Sequence, residues 1–229
     1  MSEQVKKMFS GIAVKYDLFN TILSFGIHHR WRAKVVKIAK QQNISSILDC
    51  ACGTGDLAIE FKRKLPDNAL VSGVDFCKEM LDIAKIKVKK KQLEIDFSES
   101  DILDLPIPDN SYDVSTIAFG IRNVDSTEKC LVEMARVVKP DGLVIVLEFG
   151  QPKGLLSIIY KFYSKYIIPF VGKMLAQSPE AYLYLPETAS RYPCRNDFLN
   201  IMKNTERFEN YYYKTLSSGI AFIYVGKVK

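Results

Sequence analysis

A glycine-rich turn at residues 52–55 is the feature whose spacing points most directly to chemistry. Gly53, Gly55 and Ala58 satisfy the pattern G-x-G-x-x-G/A, and Asp75 lies twenty residues beyond Gly55. Glycines let a backbone approach a ligand closely, and an acid at that distance can accept hydrogen bonds from both hydroxyls of a ribose. The spacing therefore predicts a nucleotide site, and on spacing alone NAD fits it.

The charges around this turn favour a different nucleotide. A dinucleotide places its pyrophosphate at a helix N-terminus, where positive potential is needed. Here Asp49 precedes the turn and Asp56 follows it. Two carboxylates would repel a pyrophosphate but suit the ammonium and sulfonium of S-adenosylmethionine (SAM). Asp101, after the third predicted strand, adds an acceptor for an adenine amino group, with the Ile102 backbone beside it, so we predict SAM as the cofactor.

Two other kinds of catalytic site are not indicated by the sequence. Cys50 and Cys52 form a C-x-C pair, but neither a second cysteine pair nor a spaced histidine pair accompanies them, as a zinc site requires. The nucleophile motif G-x-S-x-G is also missing. We expect no metal, and the odd number of five cysteines favours a reducing compartment.

The elements that must position these residues alternate between strands and helices. Short apolar runs separated by helical patterns predict a parallel sheet covered by helices, an α/β fold. We predict strands at 46–51, 70–75, 94–98, 112–119 and 142–149, with helices at 56–65, 78–91 and 126–138. Two more strands, 211–215 and 219–227, flank a Ser-Ser-Gly turn. Residues 139–142 predict a turn, and the lysines of 85–91 predict a solvated helix face.

Charge divides the 229-residue chain into three parts. Residues 1–42 and 151–229 each carry a net charge of +6, whereas 43–150 carries −6, and ten of the twelve tyrosines lie in the last part. Within a single domain, 1–229, we interpret 1–42 as an N-terminal helical lid, 43–150 as the SAM-binding core and 151–229 as substrate-covering helices with closing strands. Basic, aromatic-rich flanks favour anionic lipid or nucleic acid as a partner. Because no nucleic-acid motif is recognisable, we expect no nucleic-acid partner.

The longest apolar stretch runs from Leu155 to Ala176. Lys161, Lys165, Lys173 and Pro169 interrupt it, so it lacks the ~18 clean apolar residues of a transmembrane helix. We predict an amphipathic helix with a proline break, packed on the core, a membrane or an apolar ligand. Since no secretory signal is visible at the N-terminus, we expect a cytoplasmic protein that visits the inner membrane face.

Nearly the whole chain resembles one family, the C-methyltransferases of menaquinone and ubiquinone biosynthesis. The glycine loop alone would indicate only a SAM-dependent methyltransferase, whereas the segments FGIRN and HRWR are much more specific. Asp141 departs from the family, which commonly has a glycine there. The resembling segments include 15–20 (KYDLFN), 24–32 (SFGIHHRWR), 49–58 (DCACGTGDLA), 119–124 (FGIRNV), 133–140 (EMARVVKP) and 182–185 (YLYL).

The resemblance implies a fold, a reaction and a set of cofactor contacts. The fold is the class I SAM-dependent methyltransferase fold, Rossmann-like, with a doubly wound, mostly parallel seven-stranded sheet, an N-terminal helical lid and a C-terminal helical insertion. The reaction moves a methyl group to a ring carbon of a prenylated quinol. The resemblance does not decide whether that quinol is a naphthoquinol or a benzoquinol. The implied cofactor contacts are Thr54, Asp75, the pair Asp101 and Ile102, and Ala118, where relatives can carry serine.

Four residues are our candidates for the chemistry. Arg122, after the fourth strand, could hold a quinolate oxygen or the water that takes the ring proton, although an arginine stays charged and is a poor base. A structural salt bridge is its alternative role. Asn123 could orient the same oxygen, Tyr16 could close the lid, and Glu148 is another candidate base. Two other functions remain open: an NAD-dependent oxidoreductase and a nucleic-acid methyltransferase.

Overall fold

A seven-stranded sheet forms the centre of the computed structural model, which describes residues 3–167 and 188–229. The strands are β1 Ser46–Cys50, β2 Leu70–Asp75, β3 Asp96–Glu99, β4 Tyr112–Ala118, β5 Val138–Phe149, β6 Phe208–Leu216 and β7 Ala221–Val228. Their order is β3-β2-β1-β4-β5-β7-β6, and β7 runs in the direction opposite to the other strands. The chain changes direction of winding between β1 and β4, and ligands of such sheets bind outside the carboxyl ends at that point. The predicted α/β fold is confirmed.

Helices cover the sheet, and they follow the apolar periodicity of the sequence. The helices are α1 Glu3–Ile12, α2 Tyr16–Leu23, α3 Ile27–Ala39, α4 Asp56–Lys64, α5 Lys78–Lys91, α6 Thr127–Arg136, α7 Leu155–Phe162 and α8 Asn196–Asn204. Short 3-10 turns occupy Ala13–Lys15, Ile121–Asn123 and Ser217–Gly219. Ser126 caps α6 because its hydroxyl accepts the backbone N–H of Lys129.

Two predictions about the strands need correction. The predicted turn at 139–142 lies inside β5, because Tyr112 pairs with Val138 whereas Val114 already pairs with Leu143, so the residues between them bulge out. Asp141 adopts φ +65° in that bulge. The third strand begins at Asp96, where pairing with β2 starts, and not at residue 94.

The core consists of two apolar layers, one on each face of the sheet. Neighbouring strand residues alternate between them: Ile47 joins the layer under α3, α4 and α5, and Leu48 joins the layer under α6 and α8. The segment carrying α1 and α2 contributes only to two small clusters, one around Phe19 and one around Ala13, Cys77 and Met80. It therefore lies against the domain with much less apolar contact than the sheet helices have.

The apolar stretch from Leu155 is helical where it is described. Helix α7 continues as one π-helical turn, Tyr163–Ile167. The rest of the predicted amphipathic helix, with its proline break, and residues 182–185 lie outside the described residues. In the ranges 3–167 and 188–229, no helix combines the length and the apolar character that crossing a bilayer requires.

Candidate active site

A narrow cleft of about 40 Å³ opens at the carboxyl ends of β1, β2 and β4. Backbone of the glycine-rich turn forms its floor, and Phe9 of α1 and Tyr16 of α2 cover it. The predicted site residues that line it are Tyr16, Gly53, Asp75, Ala118 and Asn123. Residues far apart in sequence thus meet at the point where the sheet reverses its winding.

Asp75 is the carboxylate that faces this cleft. Its Oδ2 accepts the Gly53 N–H at 2.8 Å and its Oδ1 accepts the Cys77 N–H at 2.9 Å. Burial raises the pKa of Asp75 to about 6, although these backbone donors favour the charged form. A carboxylate oxygen has two lone pairs, so each still has capacity for a ribose hydroxyl, as a SAM site requires.

Asp49 lies below the turn and is fully engaged inside the protein. Its Oδ1 accepts the Thr116 hydroxyl at 2.9 Å, and its Oδ2 accepts the Ala58 N–H at 3.1 Å. Only 1% of the residue is exposed, and burial raises its pKa to about 7. Asp49 therefore joins β1, β4 and α4.

Asp56 is neutralised by two cations. Arg32 Nη1 donates to its Oδ2 at 2.8 Å, and Lys87 Nζ contacts its Oδ1. Burial opposes ionisation, but the Arg32 and Lys87 charges prevail and lower the pKa of Asp56. The expectation that Asp49 and Asp56 present free negative charge to the ligand is wrong, so charge at these two positions does not separate SAM from a dinucleotide.

Thr54 and Gly55 have structural partners. The Thr54 hydroxyl donates its only proton to Asp17 Oδ1 at 2.5 Å, so toward a ligand it can only accept. Gly55 has φ +78°, and a Cβ there would lie 2.9 Å from the Phe97 ring. A glycine is needed there because the backbone just before α4 has a positive φ and lies close to the Phe97 ring of β3.

Asp101 and Ile102 follow β3 and do not line the narrow cleft. Asp101 is exposed, and its Oδ1 accepts the Leu103 N–H at 3.0 Å, which fixes the turn. Ile102 is buried. The structure therefore does not bring this pair together with Asp75 and Gly53 around one cavity.

A second cavity, of about 690 Å³, adjoins the narrow cleft. Tyr16 and Phe119 line both spaces. The Phe119 ring lies 4.4 Å from that of Phe149 and 6.1 Å from that of Trp31, so three aromatic side chains form one wall. Such a wall suits a flat apolar ligand.

Arg122 lines the large cavity and forms a buried ion pair. Its Nη1 donates to Glu148 Oε1 at 2.8 Å and to the Phe119 carbonyl at 2.6 Å, and the two charged side chains are 3% and 1% exposed. Burial raises the pKa of Glu148, and the Arg122 charge opposes that rise. Arg122 therefore forms a structural salt bridge, as its alternative role predicts, and it also lines the large cavity.

Of the two remaining catalytic candidates, Asn123 is placed differently from the expectation and Tyr16 is placed as expected. Asn123 follows it in the chain but lines the narrow cleft, so the two residues do not face the same ligand oxygen. Tyr16 lies between the two spaces, as a lid residue would, and burial raises the pKa of its phenol.

His28 lies at the wall of the large cavity, and one of its ring nitrogens has no hydrogen-bond partner among the described residues. The Ser24 hydroxyl donates to the Asn20 carbonyl at 2.5 Å, so Nδ1–H of His28 must donate to Ser24 Oγ. Its Nε2 therefore carries the lone pair. Burial, Arg32 and His29 lower the pKa of His28 to about 4. In the described part of the chain, three buried side-chain atoms have no hydrogen-bond partner: His28 Nε2, Arg122 Nε and Glu148 Oε2.

Two charged side chains beside the narrow cleft were missed by the sequence analysis. Lys87, counted there with a solvated face, is only 19% exposed and donates to Asp17 Oδ2 at 2.7 Å. Its position three residues after buried Ala84 was the available signal, because that spacing places it beside the apolar face of α5. Asp17 lies in the segment 15–20 that resembles the family, but its partners Thr54 and Lys87 are distant in sequence, so no local pattern indicated these contacts.

Cys50 and Cys52 lie beside the turn as thiols. Burial raises the pKa of both well above the ordinary range. Within the described ranges, no cluster of three or more His, Cys, Asp or Glu side chains is arranged to hold a metal ion.

Comparisons with known proteins agree with this architecture. The model of the ubiE/COQ5 methyltransferase family matches residues 1–228. The "Ubiquinone/menaquinone biosynthesis C-methyltransferase UbiE" of Bdellovibrio bacteriovorus is 47% identical over 99% of this chain and 97% of its own. The "Demethylmenaquinone methyltransferase" of Thermus thermophilus is 43% identical, over 96% and 99%. A solved SAM-dependent methyltransferase from Thermotoga maritima, 17% identical, shares the fold with a TM-score of 0.69 over 97% and 99%.

Proposed function

The chain belongs to the ubiE/COQ5 methyltransferase family, and we propose that it uses SAM to methylate a ring carbon of a prenylated naphthoquinol or benzoquinol. The observation that carries the proposal is the junction of the two cavities at Tyr16 and Phe119. A narrow cleft that contains the Asp75 carboxylate meets a large space with an aromatic wall. A nucleotide cofactor and an apolar acceptor can therefore approach each other there.

The residues of the narrow cleft are suited to hold SAM. Asp75 offers acceptors for the ribose hydroxyls, and Gly53 has open space where a side chain would otherwise intrude. The cleft is far smaller than the ~300–1,000 Å³ of ligand pockets, so the covering α1 and α2 must shift to admit the cofactor. When bound, SAM supplies an electrophilic methyl group.

The residues of the large cavity orient the acceptor and stabilise its charge. Trp31, Phe119 and Phe149 hold the flat ring, and alignment of two reactants is worth up to ~7–11 kcal/mol in well-oriented systems. A quinol that loses a phenolic proton to water gains a nucleophilic ring carbon and a negative oxygen, and after the carbon is methylated its ring proton also leaves to water. Arg122 stabilises that oxygen, and Glu148, which does not line the cavity, positions Arg122.

The cavity entrance also favours contact with a lipid surface. Phe25 lines the large cavity and is 85% exposed, and its ring lies 6.2 Å from that of Tyr163. On α7, Ile158 and Phe162 are 65% and 60% exposed. Apolar side chains at a cavity mouth, on a chain with basic flanks, are typical of peripheral binding to anionic membranes. We propose that the prenyl chain enters from the inner membrane face.

Transfer of labelled methyl from SAM to prenylated acceptors tests the reaction. We expect label in the lipid fraction with a borohydride-reduced naphthoquinone or methoxybenzoquinone, and none with the oxidised forms. The ring that accepts label identifies the substrate. Absence of label with both quinols, in a protein that binds SAM by calorimetry, would contradict the acceptor.

Flotation with vesicles tests the membrane contact. We expect the protein to float with anionic vesicles at low salt and to be released by high salt. Phe25→Ser should reduce flotation, whereas Ile86→Ser, which replaces a 54% exposed side chain on α5, should not. Equal flotation of both variants, or none by the wild type, would contradict the proposed surface.

A further inference from the structure

We infer that Lys87 is a positioning residue that fastens α2, and with it Tyr16, over the cofactor loop. We call the hydrogen-bonded group of Lys87, Asp17, Thr54 and Asp56 the clasp. The inference rests on the proposed use of SAM, but it needs no assumption about the methyl acceptor. It gives a specific function to a lysine that sequence periodicity places at the edge of a solvated helix face.

The Lys87 ammonium uses all of its hydrogen-bond donors. An ammonium has three donors, and Nζ contacts three oxygens: Asp17 Oδ2 at 2.7 Å, Thr54 Oγ1 at 3.2 Å and Asp56 Oδ1. These acceptors belong to α2, the glycine-rich turn and α4. One side chain of α5 therefore joins three separate parts of the site.

Two further hydrogen bonds stabilise the clasp. Thr54 Oγ1 donates to Asp17 Oδ1, and Arg32 Nη1 donates to Asp56 Oδ2. Two cations thus face two carboxylates, with side-chain exposures of 10% for Arg32, 19% for Lys87, 21% for Asp56 and 38% for Asp17. Because these groups are largely removed from water, salt screens them less than a surface pair.

The clasp matters because the covering segment has few other anchors. Asp17 directly follows Tyr16, which lines both cavities. The segment is also held by two small apolar clusters, an ion pair between Lys6 and Glu99 that is exposed at both ends, and hydrogen bonds from Ser10 to Glu79 and from Tyr163 to the Leu23 carbonyl. Since the narrow cleft is too small for the cofactor, this segment must open, and Lys87 determines how firmly it closes again.

Hydrogen exchange and calorimetry on Lys87→Met test the inference. We expect faster amide exchange in residues 16–23 without ligand, and about tenfold weaker SAM binding. The matched control is Lys85→Met, an exposed lysine on the same helix, which should behave as the wild type. Asp17→Asn should weaken SAM binding similarly, and the double variant Lys87→Met/Asp17→Asn should be no weaker than Lys87→Met alone. Lys87→Arg, which keeps the charge, should restore part of the protection.

A loss of thermal stability in Lys87→Met, with exchange in 16–23 and SAM affinity equal to wild type, would show a structural lysine only and overturn the inference. Equal effects of Lys85→Met and Lys87→Met would also overturn it, because general charge would then be the cause. If the wild type binds no SAM, the proposed function fails, and exchange in 16–23 still decides whether the clasp holds α2.

Discussion

The floor and the cover of the site are built in different ways. The floor consists of strand ends and the glycine-rich turn, and its side chains are fixed by backbone partners, as Asp75 is by Gly53 and Cys77. Below it lie the two apolar layers of the sheet. The cover consists of α1, α2 and α7, and small clusters and a few polar contacts hold it. The cover therefore has less stabilising contact than the floor.

The floor and the cover are therefore suited to different functions. A floor fixed by strand register can position a cofactor without rearrangement. A cover with few anchors can open and close around ligands that are larger than the resting cleft, since mobile elements are drawn from the less stable parts of a fold. We therefore expect substitutions in the floor to change SAM affinity or stability, and substitutions in the cover to change closure.

The largest effect is expected at Arg122, where floor and large cavity meet. Arg122→Met leaves Glu148 buried without its cation, which should cost ~3–5 kcal/mol of unfolding free energy. Loss of the group that stabilises the quinolate should also lower the methyl-transfer rate by about 10²–10³-fold. Denaturant unfolding and the labelled-methyl assay measure the two effects.

A double variant separates these effects. Arg122→Met/Glu148→Gln removes both charges, so it should recover most of the stability but none of the activity. Recovery of activity together with stability would show that Arg122 serves only as the partner of Glu148.

The next effect concerns the floor. Asp75→Asn replaces a carboxylate that faces the narrow cleft, and charge-assisted hydrogen bonds are worth about 1.5–3 kcal/mol, so SAM affinity should fall about 10–100-fold by calorimetry. Asp101→Asn, outside the cleft, should cost less. An equal loss in both variants would show that Asp101 belongs to the cofactor site as closely as Asp75.

The sequence predicts the floor far better than the cover. Strand 70–75 and helix 78–91 have the predicted bounds, because apolar runs and helical periodicity are local signals. Lys87 and Asp17 are seventy residues apart, and no local pattern reports such a pair. Asp49 and Asp56 were correctly placed beside the turn, but their partners Thr116 and Arg32 could not be read from spacing.

A pH-dependent effect is expected from Asp49 in the floor. Its pKa rises to about 7 in the folded protein because it is buried, so between about pH 4 and 7 the folded state binds its proton more tightly than the unfolded state. The free energy of unfolding should therefore decrease as pH rises through this range. Asp49→Asn should remove part of that decrease, on the order of 2 kcal/mol, in unfolding curves measured from pH 4.5 to 8. Parallel curves for both proteins would mean that Asp49 is already charged in the native state.

The smallest effect is expected far from both cavities, at Asp141. Its φ of +65° strains a residue with a Cβ by about 1 kcal/mol, and Asp141→Gly relieves this. The substitution also removes the ion pair between Asp141 Oδ1 and Lys227 Nζ, which are 2.6 Å apart. Because the Asp141 side chain is 80% exposed, this pair is worth ~0–1 kcal/mol, and Lys227 retains its ion pair with Glu209. We expect about 0.5 kcal/mol of added stability with unchanged SAM affinity. Asp141→Ala, which keeps the strain but loses the pair, should be less stable than the wild type. Equal losses of stability in Asp141→Gly and Asp141→Ala would show that the ion pair, rather than the backbone, governs this bulge.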